Sequence, residues 1–389
     1  MALIIRGGDI FSPSSSGRRD ILLAGGRIEA VAEPGQVAIK GIPVEIIEAE
    51  GKTVLPGFVD PHVHILGGGG EGGPATRAPE IAIEDIVSSG VTTVIGCLGT
   101  DSVTRHMSSL LAKARALEIE GISTFCFCGS YEIPVKNITG SVRSDLVLIE
   151  KIIGAGEIAL SDHRSSQPTF EEFARLAAEC RVGGMLGGKA GILHVHMGDG
   201  GRGLECFRRL FRATEIPVTQ LVPTHCNRNR RLLGEAIEFA KSGGRIDLTA
   251  GIDPEKESDH DVSVETAIRM ILESGVPLES VTVSSDGNGS LPVFDAAGKL
   301  VGLTVASPHS LLKTFRSLIA RGILNKEQAA GLFAANPASI YHLASKGAIE
   351  PGRDADLILF DEKMNLTGVI ARGRVLMSGG KLLARGTFR

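Results

Sequence analysis

The chain has 389 residues, 43% of them hydrophobic and 22% charged, which is an ordinary balance for a globular protein with one large domain and additions. A net charge of −4 gives no electrostatic reason to expect nucleic acid or an anionic membrane as a partner. Apolar runs stay short of the roughly 18 residues of a membrane span, and Arg6 and Asp9 interrupt the N-terminus before any signal-peptide core. We therefore expect a cytoplasmic enzyme.

Short apolar segments recur along the middle of the chain, and helix-type stretches lie between most of them. The segments are 54–64, 91–97, 123–130, 157–163, 192–199, 221–227, 245–251 and 281–287. Strands that alternate with helices in this way indicate βαβ units and a parallel sheet. Eight units favour an α/β fold of the (β/α)8 TIM-like barrel type. An open doubly wound sheet is the alternative, but no Gly-x-Gly-x-x-Gly follows the first strand.

The two ends of the chain differ from this middle. Residues 1–53 and 350–389 contain β-type fragments that are broken by glycine, proline and serine turns. The most economical interpretation is a small β-sandwich domain built from both chain ends. The barrel of residues 54–349 is then inserted between its two parts.

Side chains of the metal-ligand type recur at the ends of the predicted strands. The first segment ends in His-x-His, and because alternate residues of a strand point the same way, both imidazoles share one face. Reactive residues of a (β/α)8 barrel lie at the carboxyl ends of its strands. We therefore expect one cluster of imidazoles and carboxylates able to hold two divalent metal ions, and Zn2+ suits these donors. Its members are His62, His64, Glu157, His196, His225 and Asp286.

Several loop motifs, together with the order of these ligand-type residues, resemble the isoaspartyl dipeptidases of the amidohydrolase superfamily. The motifs are GGGGE at 67–71, LGTD at 98–101, ITGS at 138–141, SDHR at 161–164, HMGD at 196–199, PTHCNRN at 223–229 and SSDGNGS at 284–290. The resemblance extends over nearly the whole chain. It implies a binuclear metal-dependent hydrolase that cleaves the isopeptide bond of β-aspartyl dipeptides into aspartate and an amino acid. It also implies a large homo-oligomer.

The same resemblance implies a role for each ligand-type residue. His62 and His64 are expected to bind the more buried metal ion, and His196 and His225 the second. Asp286 is expected to bind the first ion and to act as general base and acid. The nucleophile would be a hydroxide that bridges the two ions.

The fourth strand departs from the pattern of the family. Isoaspartyl dipeptidases usually carry a carboxylated lysine there as the bridge between the metals, whereas the corresponding residue of this chain is Glu157. The nearest lysine, Lys151, precedes it by six residues and is expected on the preceding helix. We predict that Glu157 bridges the metals without CO2. A site with one metal ion, or with a weakened second ion, is the alternative.

Charged loop residues predict how a β-aspartyl dipeptide would be recognised, since this substrate carries one ammonium and two carboxylates. Glu71, on the glycine-rich loop after the first strand, suits the ammonium, although the glycines alone could serve a tight turn. Arg164 and Arg228 follow the fourth and sixth strands and suit the carboxylates through bidentate hydrogen bonds. Ordinary surface charge is the alternative for both arginines.

Three further residues of these loops are candidates for substrate contact. Tyr131, after the third strand, could donate a hydrogen bond to the carbonyl oxygen as its charge develops. Thr100 and Ser290 are candidates in the same layer of loops. Two histidines are assigned other positions: His194 is expected in the core, and His163 behind the metal ligands.

Two rival functions share much of this pattern. A cyclic-amide amidohydrolase of the dihydroorotase or hydantoinase type would use the same metal ligands, but it would not need an acidic group to bind an ammonium. A non-catalytic barrel that serves as an oligomeric scaffold is the second rival. The intact ligand set and Asp286 argue against the scaffold.

Overall fold

The computed structural model describes residues 2–41, 43–294 and 300–388. Its strands are β1 (Ala2–Phe11), β2 (Ser15–Ala24), β3 (Arg27–Ala32), β4 (Val44–Glu48), β5 (Thr53–Pro56), β6 (Phe58–Val63), β7 (Val91–Gly96), β8 (Ser123–Cys128), β9 (Ile152–Leu160), β10 (Ile192–Met197), β11 (Leu221–Thr224), β12 (Ile246–Thr249), β13 (Val281–Ser284), β14 (Ser290–Phe294), β15 (Leu300–Val305), β16 (Leu357–Phe360), β17 (Leu366–Ala371), β18 (Arg374–Ser378) and β19 (Lys381–Leu382). Its α-helices are α1 (Ile83–Val87), α2 (Met107–Glu120), α3 (Val142–Leu148), α4 (Phe170–Gly187), α5 (Glu205–Ala213), α6 (Arg230–Lys241), α7 (Val264–Glu273), α8 (His309–Ala320), α9 (Lys326–Ala330) and α10 (Asn336–Ile340).

The strands of the middle of the chain form a TIM-barrel-like arrangement. Strands β6 to β11 make a six-stranded parallel sheet in chain order, and β12 pairs in parallel with β13. The backbone N–H of Cys226 donates to the carbonyl of Asp247 at 3.1 Å, which links the end of β11 to β12. His64 N donates to the carbonyl of Gly287 at 2.8 Å, which links the ends of β6 and β13. All carboxyl ends therefore open on one side, as the alternation of strands and helices predicted.

The first predicted segment, residues 54–64, is two strands and not one. Strand β5 pairs with β1 and β16 in a different sheet, and only β6 belongs to the barrel. Gly57 lies between them, and a Cβ atom built there would lie 2.2 Å from Thr92 Oγ1. A residue without a side chain is therefore needed where the chain passes from one sheet to the other.

Strands from both chain ends lie in one nine-stranded mixed sheet. Its order is β19-β18-β17-β16-β5-β1-β2-β3, and β4 also pairs with β1. The two chain ends thus meet in this sheet, and their separation as a small β-sandwich domain stays a prediction. The chain passes from this sheet to the barrel at Gly57, because β5 pairs with β16 whereas β6 pairs with β7.

Helix α4, one of the helices that cover the barrel, has a clear cap at each end. Helix α4 begins after Thr169, whose hydroxyl accepts a hydrogen bond from Glu172 N while the Glu172 carboxylate accepts one from Thr169 N. It ends at Gly188, which adopts a left-handed φ of 63°. Its buried Phe173 packs on Phe207 of α5, and burial of one such ring stabilises the fold by about 1.5–3 kcal/mol. This packing holds the strand ends, and the loops after them, in fixed positions.

Candidate active site

Four imidazoles surround the carboxylate of Glu157 at the carboxyl ends of the barrel strands. The distances to this carboxylate are 3.4 Å from His62 Nε2, 3.3 Å from His64 Nε2, 3.0 Å from His196 Nδ1 and 3.7 Å from His225 Nε2. His64 contacts Oε1, whereas the other three rings contact Oε2. One buried carboxylate is therefore surrounded by His62 of β6, by His196 of β10, and by two histidines, His64 and His225, that directly follow β6 and β11.

Asp286 completes the cluster from the turn that follows β13. Its Oδ1 lies 3.0 Å from His64 Nε2 and 3.5 Å from His62 Nε2. Among the described residues, His62 Nε2, Glu157 Oε1 and Asp286 Oδ1 are buried without a hydrogen-bond partner. A buried polar atom without a partner costs roughly 1–3 kcal/mol. The convergence of several such atoms fits a site built for divalent cations.

The remaining nitrogen of these rings contacts a neighbouring side chain. His225 Nδ1 lies 2.6 Å from Thr249 Oγ1, and His196 Nε2 lies 3.1 Å from Asp162 Oδ2. Contacts of this kind fix the orientation of metal-binding imidazoles. The sulfur of Cys97 lies 3.8 Å from His64 Nδ1, whereas His64 Nε2 faces Asp286. Cys97 thus adjoins the cluster, since its sulfur and ligand-type atoms of His62, His64 and Glu157 all lie within 4.8 Å of one another.

Burial and charge act in opposite directions on the acidic groups of the site. Burial opposes ionisation of Glu157, but the charges of His62 and His196 outweigh it and hold the pKa of this carboxyl well below its usual value. Glu157 is therefore a carboxylate, which is the form that binds cations. Asp60 is fully buried, and burial raises its pKa to about 7 against hydrogen bonds from the Ser285 hydroxyl and backbone N–H.

The backbone is strained at two of the candidate ligands. His225 has a φ of 60° and Asp286 a φ of 52°, which is the left-handed region that residues with a Cβ rarely adopt. Such conformations cost of the order of 1–3 kcal/mol each and concentrate at functional sites. The turn after each strand directs these two side chains into the cluster.

The glycine-rich loop places Glu71 beside Arg164. Glu71 Oε1 accepts a hydrogen bond from Thr100 Oγ1 at 2.8 Å and lies 3.4 Å from Arg164 Nη1. Gly67, with a φ of 78°, is required for the turn, because a Cβ there would lie 2.2 Å from the carbonyl oxygen of Ala78. The predicted substrate residues Glu71, Thr100 and Arg164 therefore lie together.

The other predicted substrate residues also lie at this end of the barrel. The hydroxyl of Tyr131 lies 2.9 Å from His196 Nδ1. Arg228 Nε is buried and has no hydrogen-bond partner in the described ranges. Ser290 lies against the glycine-rich loop, since a Cβ added at Gly69 would be 3.2 Å from its Cβ.

Asp162 was missed in the sequence, where the neighbouring His163 was assigned a position behind the metal ligands. The prediction for His163 is wrong, because its side chain is exposed. Asp162 instead contacts His196 and binds Arg164 with distances of 2.8 Å to Nη2 and 3.0 Å to Nε. Burial raises the pKa of Asp162, but the hydrogen bonds from His196 and Arg164 prevail and lower it below its usual value. The only available signal was its position two residues before Arg164.

Arg105 and Asp60 were also missed. Arg105 is buried and donates to the carbonyl oxygens of Gly68 at 3.0 Å and Gly69 at 3.2 Å, so it holds the loop that carries Glu71. Its position in a loop before α2 gave no signal for this role. Asp60 precedes His62 by two residues, so the alternation of side chains along the strand could have indicated that it lies near the ligands.

The chain is similar throughout its length to proteins of known activity. The amidohydrolase family matches residues 53–376. Two crystal structures of beta-aspartyl dipeptidase from Fervidobacterium islandicum AW-1 are similar to it. One, in complex with beta-Asp-Leu dipeptide, is 46% identical with a TM-score of 0.91 and covers 98% of this chain and 97% of that chain. The other is 44% identical with a TM-score of 0.89 and covers 98% of each.

A curated relative points to the wider superfamily. Dihydroorotase from Elusimicrobium minutum is 24% identical over 404 residues, which covers 93% of this chain and 88% of that protein. In the part of the chain that the structure describes, no helix has the length and hydropathy to cross a membrane. The fold, the cluster at the strand ends and these similarities lead to one conclusion: the chain belongs to the amidohydrolase family, is a hydrolytic enzyme, and resembles the beta-aspartyl dipeptidases within that family.

Proposed function

We propose that the protein hydrolyses the isopeptide bond of β-aspartyl dipeptides, with two divalent metal ions as cofactor. The observation that carries the proposal is the position of charged groups beside the metal-ligand cluster. Arg164 Nη2 lies 3.3 Å from His196 Nε2, and Arg164 Nη1 lies 3.4 Å from Glu71. A site that presents an acid and an arginine beside metal ligands fits a small zwitterionic substrate. The 46% identity to a beta-aspartyl dipeptidase supports the same substrate class.

The metal ions would be held by the residues that converge in the structure. His62, His64 and Asp286 would bind one ion. His196 and His225 would bind the other, and Glu157 would contact both. Zn2+ is proposed because imidazole and carboxylate donors suit it. When bound, such a pair of ions polarises a carbonyl group and supplies a hydroxide nucleophile near neutral pH.

The residues of the chain would divide the remaining work of hydrolysis. Asp286 would take the proton from the attacking water and deliver it to the leaving amine, which departs as an amino acid. The Tyr131 hydroxyl would donate a hydrogen bond to the carbonyl oxygen as negative charge develops on it. Glu71 would bind the substrate ammonium, and Arg164 and Arg228 its carboxylates. Thr100 would hold Glu71 in place, and Ser290 would line the same loop layer.

A cyclic-amide substrate is the second candidate. The similarity to dihydroorotase favours it, because that protein covers most of this chain. A cyclic amide of this type has no free ammonium, however, and so gives no role to Glu71. We further propose that the enzyme is cytoplasmic, as expected from the sequence, and that it forms a large homo-oligomer, as the resemblance to isoaspartyl dipeptidases implies.

The test is a comparison of substrates on protein of known metal content. We expect turnover of β-Asp-Leu, far slower turnover of α-Asp-Leu, and close to two divalent ions per chain by elemental analysis. Dihydroorotate and hydantoin, assayed under the same conditions, provide the comparison with the second candidate. Faster turnover of either cyclic amide than of β-Asp-Leu would contradict the proposal.

A further inference from the structure

Behind His62 lies a buried chain of polar groups that has no role in the proposed hydrolysis. His194 Nε2 lies 3.0 Å from His62 Nδ1, and the hydroxyl of Tyr341 lies 3.2 Å from His194 Nδ1. All three side chains are at most 1% exposed. The sequence had placed His194 in the core as a packing residue, and the structure adds these two polar contacts. Tyr341 directly follows α10, so it is distant in sequence from both histidines.

When both imidazoles are neutral, as metal binding by His62 requires, the donor and acceptor capacity of these groups allows two arrangements of their hydrogens. A neutral imidazole has one N–H group and one acceptor nitrogen. In the first arrangement, His62 Nδ1–H donates to His194 Nε2, and His194 Nδ1–H donates to the oxygen of Tyr341. In the second, Tyr341 donates to His194 Nδ1, and His194 Nε2–H donates to His62 Nδ1. Both arrangements satisfy both contacts.

The two arrangements differ at the nitrogen that faces the metal-ligand cluster. In the second, the hydrogen of His62 lies on Nε2, where it would occupy the position of a metal ion. In the first, Nε2 presents its lone pair to Glu157 and Asp286, which lie 3.4 Å and 3.5 Å away. His62 Nε2 has no hydrogen-bond partner among the residues described. This is expected of a nitrogen whose lone pair binds a metal ion.

We propose that His194, supported by Tyr341, is a positioning residue that holds His62 in the tautomer with Nδ1 protonated and Nε2 free to bind the buried metal ion. The inference rests on the proposed metal site. His194 is itself held in place, because Phe127 stacks on its ring with centroids 4.7 Å apart and an interplanar angle of 11°. The acceptor that faces His62 is therefore fixed before a metal ion arrives. Outer hydrogen bonds of this kind typically change metal affinity by about 10–100-fold.

Two substitutions of His194 separate the hydrogen bond from packing. His194→Phe keeps a ring that can stack on Phe127 but removes both nitrogens. His194→Gln can place an amide oxygen near the position of Nε2 and so restores the acceptor. The metal-free proteins are titrated with Zn2+ alone in competition with a chromogenic chelator. We expect His194→Phe to weaken the binding of one Zn2+ by about 10–100-fold and His194→Gln to bind close to wild type. Tyr341→Phe should weaken the same ion to a smaller extent.

The outcomes distinguish this inference from the proposed function. A wild-type protein that binds no Zn2+ contradicts the metal site itself, whereas equal Zn2+ affinity of wild type and His194→Phe contradicts only the role of His194. Failure of His194→Gln to restore affinity, with metal-free unfolding temperatures unchanged, also contradicts it. Should His194→Phe fail to fold, 15N NMR of histidine-labelled, metal-free wild type decides the question, because a Zn2+ ion on Nε2 would by itself leave the hydrogen on Nδ1. A hydrogen on Nδ1 of His62 supports the proposal, and its absence there overturns it.

Discussion

Glu157 and His196 lie in direct contact, with 3.0 Å between Oε2 of the carboxylate and Nδ1 of the ring. The other oxygen of the same carboxylate lies 3.3 Å from His64. In the alignment that we predict, this carboxylate takes the place of the carboxylated lysine that isoaspartyl dipeptidases usually have. The expectation that Lys151 lies on the preceding helix is wrong, because it lies in the turn between α3 and β9. It does not reach the position of Glu157, because its ammonium bonds to Glu118 and to Thr124 of β8.

Metal reconstitution should therefore be independent of bicarbonate. A carboxylate carries its negative charge without CO2, whereas a lysine side chain becomes anionic only after it reacts with CO2 to form a carbamate. We expect metal-free protein given Zn2+ in bicarbonate-free buffer to recover the same β-Asp-Leu activity as a parallel sample with bicarbonate. Lys151→Met is the matched control and should behave as wild type in both buffers. A requirement for bicarbonate would show that a carboxylated lysine exists elsewhere in the chain.

Removal of the Glu157 carboxylate should cost one metal ion. Two cations a few ångströms apart repel strongly unless an anion lies between them. We expect Glu157→Ala to retain at most one Zn2+ per chain after dialysis, measured by elemental analysis, against two in wild type. Glu157→Asp keeps the charge on a shorter side chain and serves as the comparison. Two tightly bound ions in Glu157→Ala would exclude Glu157 as the bridge.

Strand periodicity explains why the sequence could group most of the imidazoles and carboxylates that lie together in the structure, while their role as metal ligands stays a prediction. His62 and His64 share a strand face by parity, and parallel strands bring Glu157 and Asp286 to the same edge. Positions that depend on turns were less predictable. Ser161 adopts a left-handed φ of 53°, and the turn that follows it leaves His163 exposed while Asp162 contacts the site. No periodic pattern encodes that choice.

Contacts between segments that are distant in the chain could not be predicted from the sequence either. Arg105 donates hydrogen bonds to backbone carbonyl oxygens of the glycine-rich loop. Every residue has such an oxygen, so the sequence of the loop does not indicate this contact. The separation of β5 from β6 at Gly57 depends on close approach to Thr92, and both strands continue one apolar run in the sequence. Such features follow from packing in three dimensions, and a single sequence does not display them.

Asp286→Asn should abolish most turnover while the shape of the side chain is kept. The amide cannot accept the proton of the attacking water, so the loss in kcat should be roughly a hundred- to ten-thousand-fold. KM for β-Asp-Leu should change little if Asp286 acts mainly on the chemical step. Metal content is measured on the same sample, because Asp286 is also a proposed ligand. A kcat close to wild type would show that another group carries the proton.

Glu71 and Arg164 should affect different ends of the substrate. Glu71→Gln removes the charge that pairs with an ammonium, and Arg164→Met removes a bidentate donor for a carboxylate. We expect Glu71→Gln to lower kcat/KM for β-Asp-Leu and to have little effect on its N-acetyl derivative, which wild type should cleave poorly. Arg164→Met should lower kcat/KM for both. Arg321→Met, an exposed arginine paired with Glu255, is the control and should leave both values unchanged. Equal cleavage of free and N-acetylated substrate by wild type would contradict the role of Glu71.

Lys346 should be important for stability, because its ammonium joins the barrel to the mixed sheet. It is only 4% exposed, and it lies 2.5 Å from Ser123 at the start of β8, 2.6 Å from Asp356 beside β16 and 2.8 Å from Asp354. Removal of one partner from a buried ion pair leaves the other charge without compensation. We expect Lys346→Met to lower the free energy of unfolding at pH 7 by about 3–5 kcal/mol. Lys256→Met, which alters an exposed pair with Asp253, should change it by less than about 1 kcal/mol.

The effect of Lys346→Met should also depend on pH. Burial opposes ionisation of Asp354, but the charge of Lys346 prevails and lowers the pKa of Asp354 below its usual 3.8. Because the pKa is lower in the folded protein, the ion pair contributes its full stability above pH 3.8 and loses it as the pH falls through the folded-state value. The difference between wild type and Lys346→Met should therefore shrink below about pH 4. Urea unfolding of the metal-free proteins at neutral and acid pH measures it without a contribution from metal binding. A difference that stays constant with pH would mean that Lys346 acts through packing of its aliphatic chain and not through its charge.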